Sequence, residues 1–202
     1  MARRNSIRTN DPAGMRNRVL DVAARSFQAV GYGATSMHDI VRLAAVSGGA
    51  LYHHFPTKKH LALAVIAERV SAEVGETWVR TVREAASAEA GILAVFETTI
   101  AALDEAGAVN GCPLGNLAIE LSLVDEQMRG AVVGEYGIWR DAIADRLRAD
   151  RAPYAPDPEA FATVIVAMFS GAMAIARTEQ RTTALRACAD QLAILMQKAP
   201  AG

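Results

Sequence analysis

The chain has 202 residues, 51% of them apolar and 5% aromatic, with a formal net charge of −1. That length suits one or two packed domains, and that apolar content excludes a disordered or fibrous chain. The near-neutral total hides a division. Residues 1–60 carry nine Lys/Arg against three Asp/Glu (+6), and residues 61–202 carry twelve against nineteen (−7). A basic third joined to an acidic remainder points to a polyanionic partner at one end.

Alanine dominates, β-branched residues are scattered singly and hairpin signals are nearly absent, so an all-α fold of about nine to ten helices is expected. The basic start "MARRNSIRTNDPAG" is followed by no apolar stretch, so no secretory leader is expected and the cytoplasm is the expected location. Asp11 can cap a first helix that Pro12 opens, with Val19, Ala23, Phe27 and Val30 as its apolar stripe and Gly31 and Gly33 as its end. A second helix starts at Ser36, which with Asp39 forms a capping-box pattern, and buries Met37, Ile40, Val41 and Ala44. A third begins near Ser47 and stops before Pro56. Thr57 can cap a fourth, which links the small basic region to the rest.

Helical stretches follow at 89–107, 112–151, 157–180 and 181–199, with breaks at Gly91, at "GAVNGCP", near "DRAPYAPDP" and around Arg181–Thr183. The uncharged run Ala160–Ala176 reaches the lower edge of a membrane-spanning length. Its Ala, Gly, Ser, Thr and Met content favours burial in protein, so no membrane partner is expected. Division into a flexible basic arm (1–12), a small basic helical unit (13–60) and a larger helical unit (61–202) is the expected organisation.

The segment "SGGALYHHFPTKKHL", Ser47–Leu61, concentrates glycine, aromatic and basic residues. It could hold a metal, cradle a phosphate or present a helix to a polyanion. Adjacent His53 and His54 would point about 100° apart on a helix, and no Cys or carboxylate completes a metal set. No phosphate-loop spacing is present. Two short helices, 36–45 and 47–55, joined by a very tight turn have helix-turn-helix geometry, in which the second helix enters the DNA major groove. Gly48 and Gly49 weaken a helix by about 1 kcal/mol each, which makes sense where backbone must approach another surface closely.

At these residues the sequence resembles the TetR family of bacterial transcriptional regulators. The family pattern V-S-x-G-x-L-Y-x-H-F-x-[ST]-K is met at Val46, Ser47, Gly49, Leu51, Tyr52, His54, Phe55, Thr57 and Lys58. The resemblance implies that Thr35 and Ser36 bind phosphate and that Ser47, Gly48, Gly49 and Ala50 face the groove. It further implies that Tyr52, His53 and Lys58 hold the backbone, while His54 and Phe55 pack the small domain. Family members often carry a larger side chain where Gly48 stands. Shape readout, or the arm "ARRNSIR" in the minor groove, could then supply specificity.

The resemblance also implies that the larger unit receives a small-molecule effector and forms a homodimer. The helices at 164–176 and 185–196 would make a four-helix interface, with Ala167, Ser170, Gly171, Ala172 and Ala174 permitting close approach. Phe96, Ile100, Cys112, Leu117, Leu121, Trp139 and Phe169 are the candidate pocket walls. Glu97 and Glu120 lie among apolar neighbours and could orient a ligand or face solvent.

Cys112 and Cys188 match no zinc spacing and read as free thiols in a reducing compartment. With Pro113 at a first helical position, Cys112 sits at a helix start, where a thiol can have a lowered pKa. Since some TetR members with a similar Gly-Cys segment respond to electrophiles or oxidants, an electrophile- or redox-sensing repressor is the alternative reading. A non-DNA helical adaptor is a weaker one. No enzyme fingerprint, metal set or cofactor motif is present, so neither catalysis nor a cofactor is expected. The resemblance implies a dimeric repressor that binds a palindromic operator in double-stranded DNA and is released by a small-molecule effector.

Overall fold

The structure, a computed structural model, describes residues 12–197. Among these residues there are nine helices and no strand. Asp11 and the basic arm up to residue 11 lie outside the described residues. Helices α1 (Pro12–Ala29), α2 (Met37–Ala44) and α3 (Gly48–His54) come first. A long helix α4 then runs unbroken from 58 to 84, with α-helical Lys58–Val65, Ser71–Val74 and Thr81–Glu84 alternating with π-helical Ile66–Val70 and Gly75–Arg80. Five more helices follow: α5 (Ala88–Ala106), α6 (Pro113–Leu121), α7 (Glu126–Ala149), α8 (Pro158–Glu179) and α9 (Thr183–Gln197).

Local chemistry sets the N-terminal boundaries. The Ser36 hydroxyl accepts from the Asp39 amide while Asp39 accepts from the Ser36 amide, each at 3.1 Å, so the capping box forms. Ala45 takes the left-handed conformation (φ 53°) and ends α2, and Ser47 caps α3 by accepting from the Ala50 amide. Thr57 caps α4 in the same way through the His60 amide. The three helices close over Val19, Ala23, Phe27, Ile40, Ala44, Leu51 and Phe55, all buried. Val30 is exposed, because α1 stops one residue earlier and the chain turns away. Ion pairs Arg16–Glu68 and Asp21–Arg69, each with a 2.7 Å contact, fasten α1 to α4.

Two boundaries differ from expectation. Gly91 lies inside α5 rather than at a break, since Ser87 caps that helix. A Cβ at Gly91 would stand 2.8 Å from the Val82 Cα, so glycine is there to let α5 pass the end of α4 closely. The expected stretch 112–151 is broken at 122–125, where Asp125 accepts from the Gln127 and Met128 amides and starts α7.

The larger part is a helical bundle in which α7 packs on α8, α8 on α9 and α9 on α5. Its centre is an aromatic cluster: Trp78 lies 4.8 Å from Trp139 and 5.0 Å from Phe169, centroid to centroid, and Phe96 closes the group. Among the described residues α8 alone is long and apolar enough to cross a membrane, with a mean hydropathy of 1.8. Here its Ala162, Ile165, Val166, Phe169, Ala172, Met173 and Ala176 are buried in protein. Of the small residues expected at a dimer contact, Ala167, Gly171 and Ala174 are exposed, whereas Ala172 is buried and Ser170 half-buried.

Candidate nucleic-acid interface and internal cavity

Helix α3 presents its start to solvent. Ser47, Gly49, Tyr52 and His53 are exposed, and Gly48 and Ala50 are half-buried. Leu51 and Phe55 point inward and fix the helix on α1 and α2. A Cβ built on Gly48 or Gly49 would meet nothing within 4 Å. The fold itself therefore has no steric need for either glycine, although each costs helix stability. Ser36 is exposed, but its hydroxyl is engaged with the Asp39 carboxylate at 2.6 Å.

Two expected phosphate contacts are placed differently. Thr35 is only 4% exposed, and its hydroxyl donates to the Gly31 carbonyl at 2.8 Å. A buried hydroxyl already donating closes the α1–α2 turn and does not reach a phosphate. Lys58 is half-buried, with Nζ 4.2 Å from the centre of the Tyr32 ring and donating to the Gly33 carbonyl. Burial holds its pKa below the usual lysine value.

The α1–α2 turn is also tied to α6. Glu120, considered above as a ligand-orienting or solvated carboxylate, instead accepts from the Tyr32 amide at 3.0 Å and the Gly33 amide at 2.7 Å. Gly31 has φ +105°, and a Cβ there would meet a Glu120 oxygen at 2.9 Å, so only glycine fits. Upstream, Gln28 donates to the Gly111 carbonyl at 3.0 Å, and Asn116 donates to the Gln28 carbonyl. One short segment, 110–120, thus grips the end of α1 and the start of the turn that leads to α2.

A cavity of about 460 Å³ opens between α4, α5, α6, α7 and α8. Of the seven expected wall residues, Cys112, Trp139 and Phe169 line it. Leu117 lines a smaller neighbouring recess of about 240 Å³. Phe96, Ile100 and Leu121 do not reach either space and are buried core. Sequence reasoning missed Glu73, Thr77 and Trp78 on α4, Thr98 and Thr99 on α5, and Met173 on α8. Glu73 and Trp78 are five positions apart, and a regular helix would place them about 140° apart. The π turn Gly75–Arg80, with its longer hydrogen-bonded loop, lets both face the cavity.

Cys112 does cap α6, and its sulfur accepts from the Gly115 amide at 3.5 Å. The expected drop in its pKa is not found. Desolvation outweighs the helix amides, and with the nearby Glu73 charge it pushes the thiol up to about 11. A thiol so held is a weak nucleophile at neutral pH, which removes the physical basis of the sensor reading. Cys188 is half-buried, and burial raises its pKa as well.

Residues 19–65 match the family of bacterial regulatory proteins named for TetR, and residues 88–191 match the C-terminal domain of LmrA/YxaF-like transcriptional regulators. The chain belongs to the TetR family. It is a transcriptional regulator of that family, 30% identical over 84% of its length to the regulator LmrA of Bacillus subtilis, of which it covers 90%. YxaF of the same organism, an uncharacterized HTH-type transcriptional regulator, is 27% identical over 91% of this chain and is covered over 95%. The fold superimposes on the reduced form of E. coli NemR with a TM-score of 0.83 at 20% identity, covering 94% of this chain and all of that one. A TetR regulator from Rhodobacter sphaeroides gives 0.81 at 21% identity, covering 90% and 98%. The two matched segments are separated by residues 66–87, which include most of α4: the N-terminal match ends within that helix at residue 65, and the C-terminal match begins at the first residue of α5.

Proposed function

We propose that this TetR regulator is a homodimeric repressor that binds a palindromic operator through α3 and leaves it when a small molecule fills the cavity. It would act in the cytoplasm by binding alone, without a cofactor, a catalysed reaction or a membrane. The observation that carries the DNA reading is the pair Gly48–Gly49. They sit at an accessible helix start, no part of the protein crowds them, and the open space suits close approach by an outside surface. Backbone amides there can meet phosphate or base edges, and Ser47, Tyr52 and His53 flank them with donors. In this reading Ser36 contacts phosphate by turning its hydroxyl from Asp39, and Thr35 and Lys58 support the turn from inside. We take α4 as the link between the DNA-binding unit and the rest.

The dimer reading is supported by an exposed stripe on α8, comprising Val164, Ala167, Gly171, Ala174 and Ile175, beside Ile194 and Leu195 on α9. Apolar positions recurring at three and four residues on two adjoining helices suit a four-helix contact between protomers. Two α3 helices would then address successive major grooves, ~34 Å apart. The cavity walls Gly111–Leu114 and the Glu120 clamp belong to one short helix and its lead-in. A ligand that displaces this segment would move the turn before α2 and alter the spacing of the two α3 helices.

The test is binding of the purified protein to its own upstream intergenic DNA across a salt series. Expected is tight binding to one palindrome that weakens steeply with salt, as counterion release requires. Tyr52→Ala should lower affinity by about tenfold, in line with the loss of one or two phosphate contacts, while leaving thermal stability unchanged. Sequence-independent binding, or no effect of Tyr52→Ala, would remove α3 as the reader.

A further inference from the structure

If the cavity is the effector site, its walls also choose the effector's charge. Glu73 is the only residue with a charged side chain among them; no Lys, Arg or His lines the space. Glu73 itself is exposed, and its carboxylate accepts no hydrogen bond and makes no ion pair among the described residues. Arg69, beyond it in the smaller recess, is spent on Asp21 and Asn17, and Arg25 in the same recess makes no ion pair with Glu73. Three aromatic rings, Trp78, Trp139 and Phe169, also line the space, within 4.8–5.7 Å of one another. The Trp139 indole N–H is buried, at 1% residue exposure, and has no acceptor in the protein.

We infer that the cavity takes a drug-sized organic monocation with an aromatic body, its charged centre beside Glu73 and its rings against Trp78, Trp139 and Phe169. An anionic effector would meet Glu73 with no compensating cation among the cavity walls, and a neutral one would cover the exposed carboxylate without pairing it. A cation satisfies the carboxylate and gains from the negative faces of the rings. Glu73 keeps contact with water, yet the surrounding protein pushes its pKa up, and a bound positive charge would offset that.

The experiment compares three probes of one shape on the full-length protein without DNA, at pH 7.5: 9-aminoacridine as the cation, acridine as the neutral ring and acridine-9-carboxylate as the anion. The chain has two tryptophans, and both line the cavity, so quenching of indole fluorescence reports occupancy of this site. Expected is an order of about tenfold or more for cation over neutral, with the anion weakest, given a carboxylate and three rings as partners. Glu73 is exposed and unpaired among the described residues, so Glu73→Gln, which keeps the shape, should leave the fold intact. It should bring the cation and the neutral ring together while leaving acridine binding unchanged. Equal binding of all three probes, or a cation preference that persists in Glu73→Gln, overturns the charge assignment and leaves the cavity as a ligand site. Failure of all three to quench overturns both the charge assignment and the effector reading.

Discussion

The two working regions of this protein are built in opposite ways. The α3 surface is made of residues that contribute little to folding: Tyr52 is 51% exposed, His53 is exposed, and the two glycines touch nothing. The cavity is made of residues the fold depends on: Trp78 and Trp139 are the centre of the aromatic core and at the same time the walls of the space. If α3 reads DNA and the cavity takes the effector, recognition can vary at little cost to the fold, whereas ligand choice cannot. Glu120 joins the regions and belongs to neither, since its carboxylate holds backbone amides of the α1–α2 turn.

The largest expected effect lies on the cavity side. Trp139→Ala should destabilise the protein by about 3–5 kcal/mol, because it removes a fully buried aromatic and leaves a void beside three other rings. Urea unfolding measures this, and a loss below about 1 kcal/mol would mean that the wall collapses freely and that core and cavity are separable after all.

That contrast also explains what could be read from the chain alone. The capping box at Ser36, the cap at Ser47 and the stop at Pro56 are local, so three residues in sequence suffice to place α2 and α3. The cavity is not local. Phe96 and Ile100 share the apolar character of Trp139 and Phe169, and only the packing decides that the first pair is core and the second pair wall. Glu73 was invisible because its position depends on two π turns that no apolar period announces. Thr35 misled for a related reason: its place at a helix start fits a phosphate contact, and the Gly31 carbonyl that claims its hydroxyl is fixed only by the turn. Cys112 was placed correctly at the start of α6, yet its chemistry follows from burial, which sequence position does not give.

The bridge between the regions gives the next effect. Glu120→Gln keeps the size of the side chain but replaces two charge-assisted hydrogen bonds to the Tyr32 and Gly33 amides with at most one ordinary one. Ligand affinity in the cavity should be unchanged, and the ligand's effect on operator affinity should fall by about 1 kcal/mol, within the usual range of coupling energies. Operator titrations with and without saturating ligand measure it. Full coupling in the variant would place the communication along α4 instead.

On the DNA side, Gly49→Ala should move two observables in opposite directions. Helix propensity favours alanine, and the open space at this position admits the methyl, so stability should rise by about 0.5–1 kcal/mol. Operator affinity should fall, because the methyl occupies the space a DNA backbone or base would take. Parallel melting and gel-shift series decide it, and a variant both more stable and equally tight on DNA would show that the glycines serve no contact.

The smallest effect separates burial from position at Cys112. A folded-state pKa of about 11 against 9.0 for an unperturbed thiol leaves about a hundredfold less thiolate near pH 8. Because the folded value is raised, the contribution of this thiol to stability is complete below pH 9 and is lost as pH rises through 11. Iodoacetamide at pH 8 should therefore label Cys112 far more slowly in the folded protein than in urea, with half-buried Cys188 between the two. Substituting Cys112→Ser should leave operator release by a non-electrophilic ligand intact. Rapid labelling of Cys112 in the native protein would show that the helix amides win over desolvation, and would return the thiol to the list of sensors.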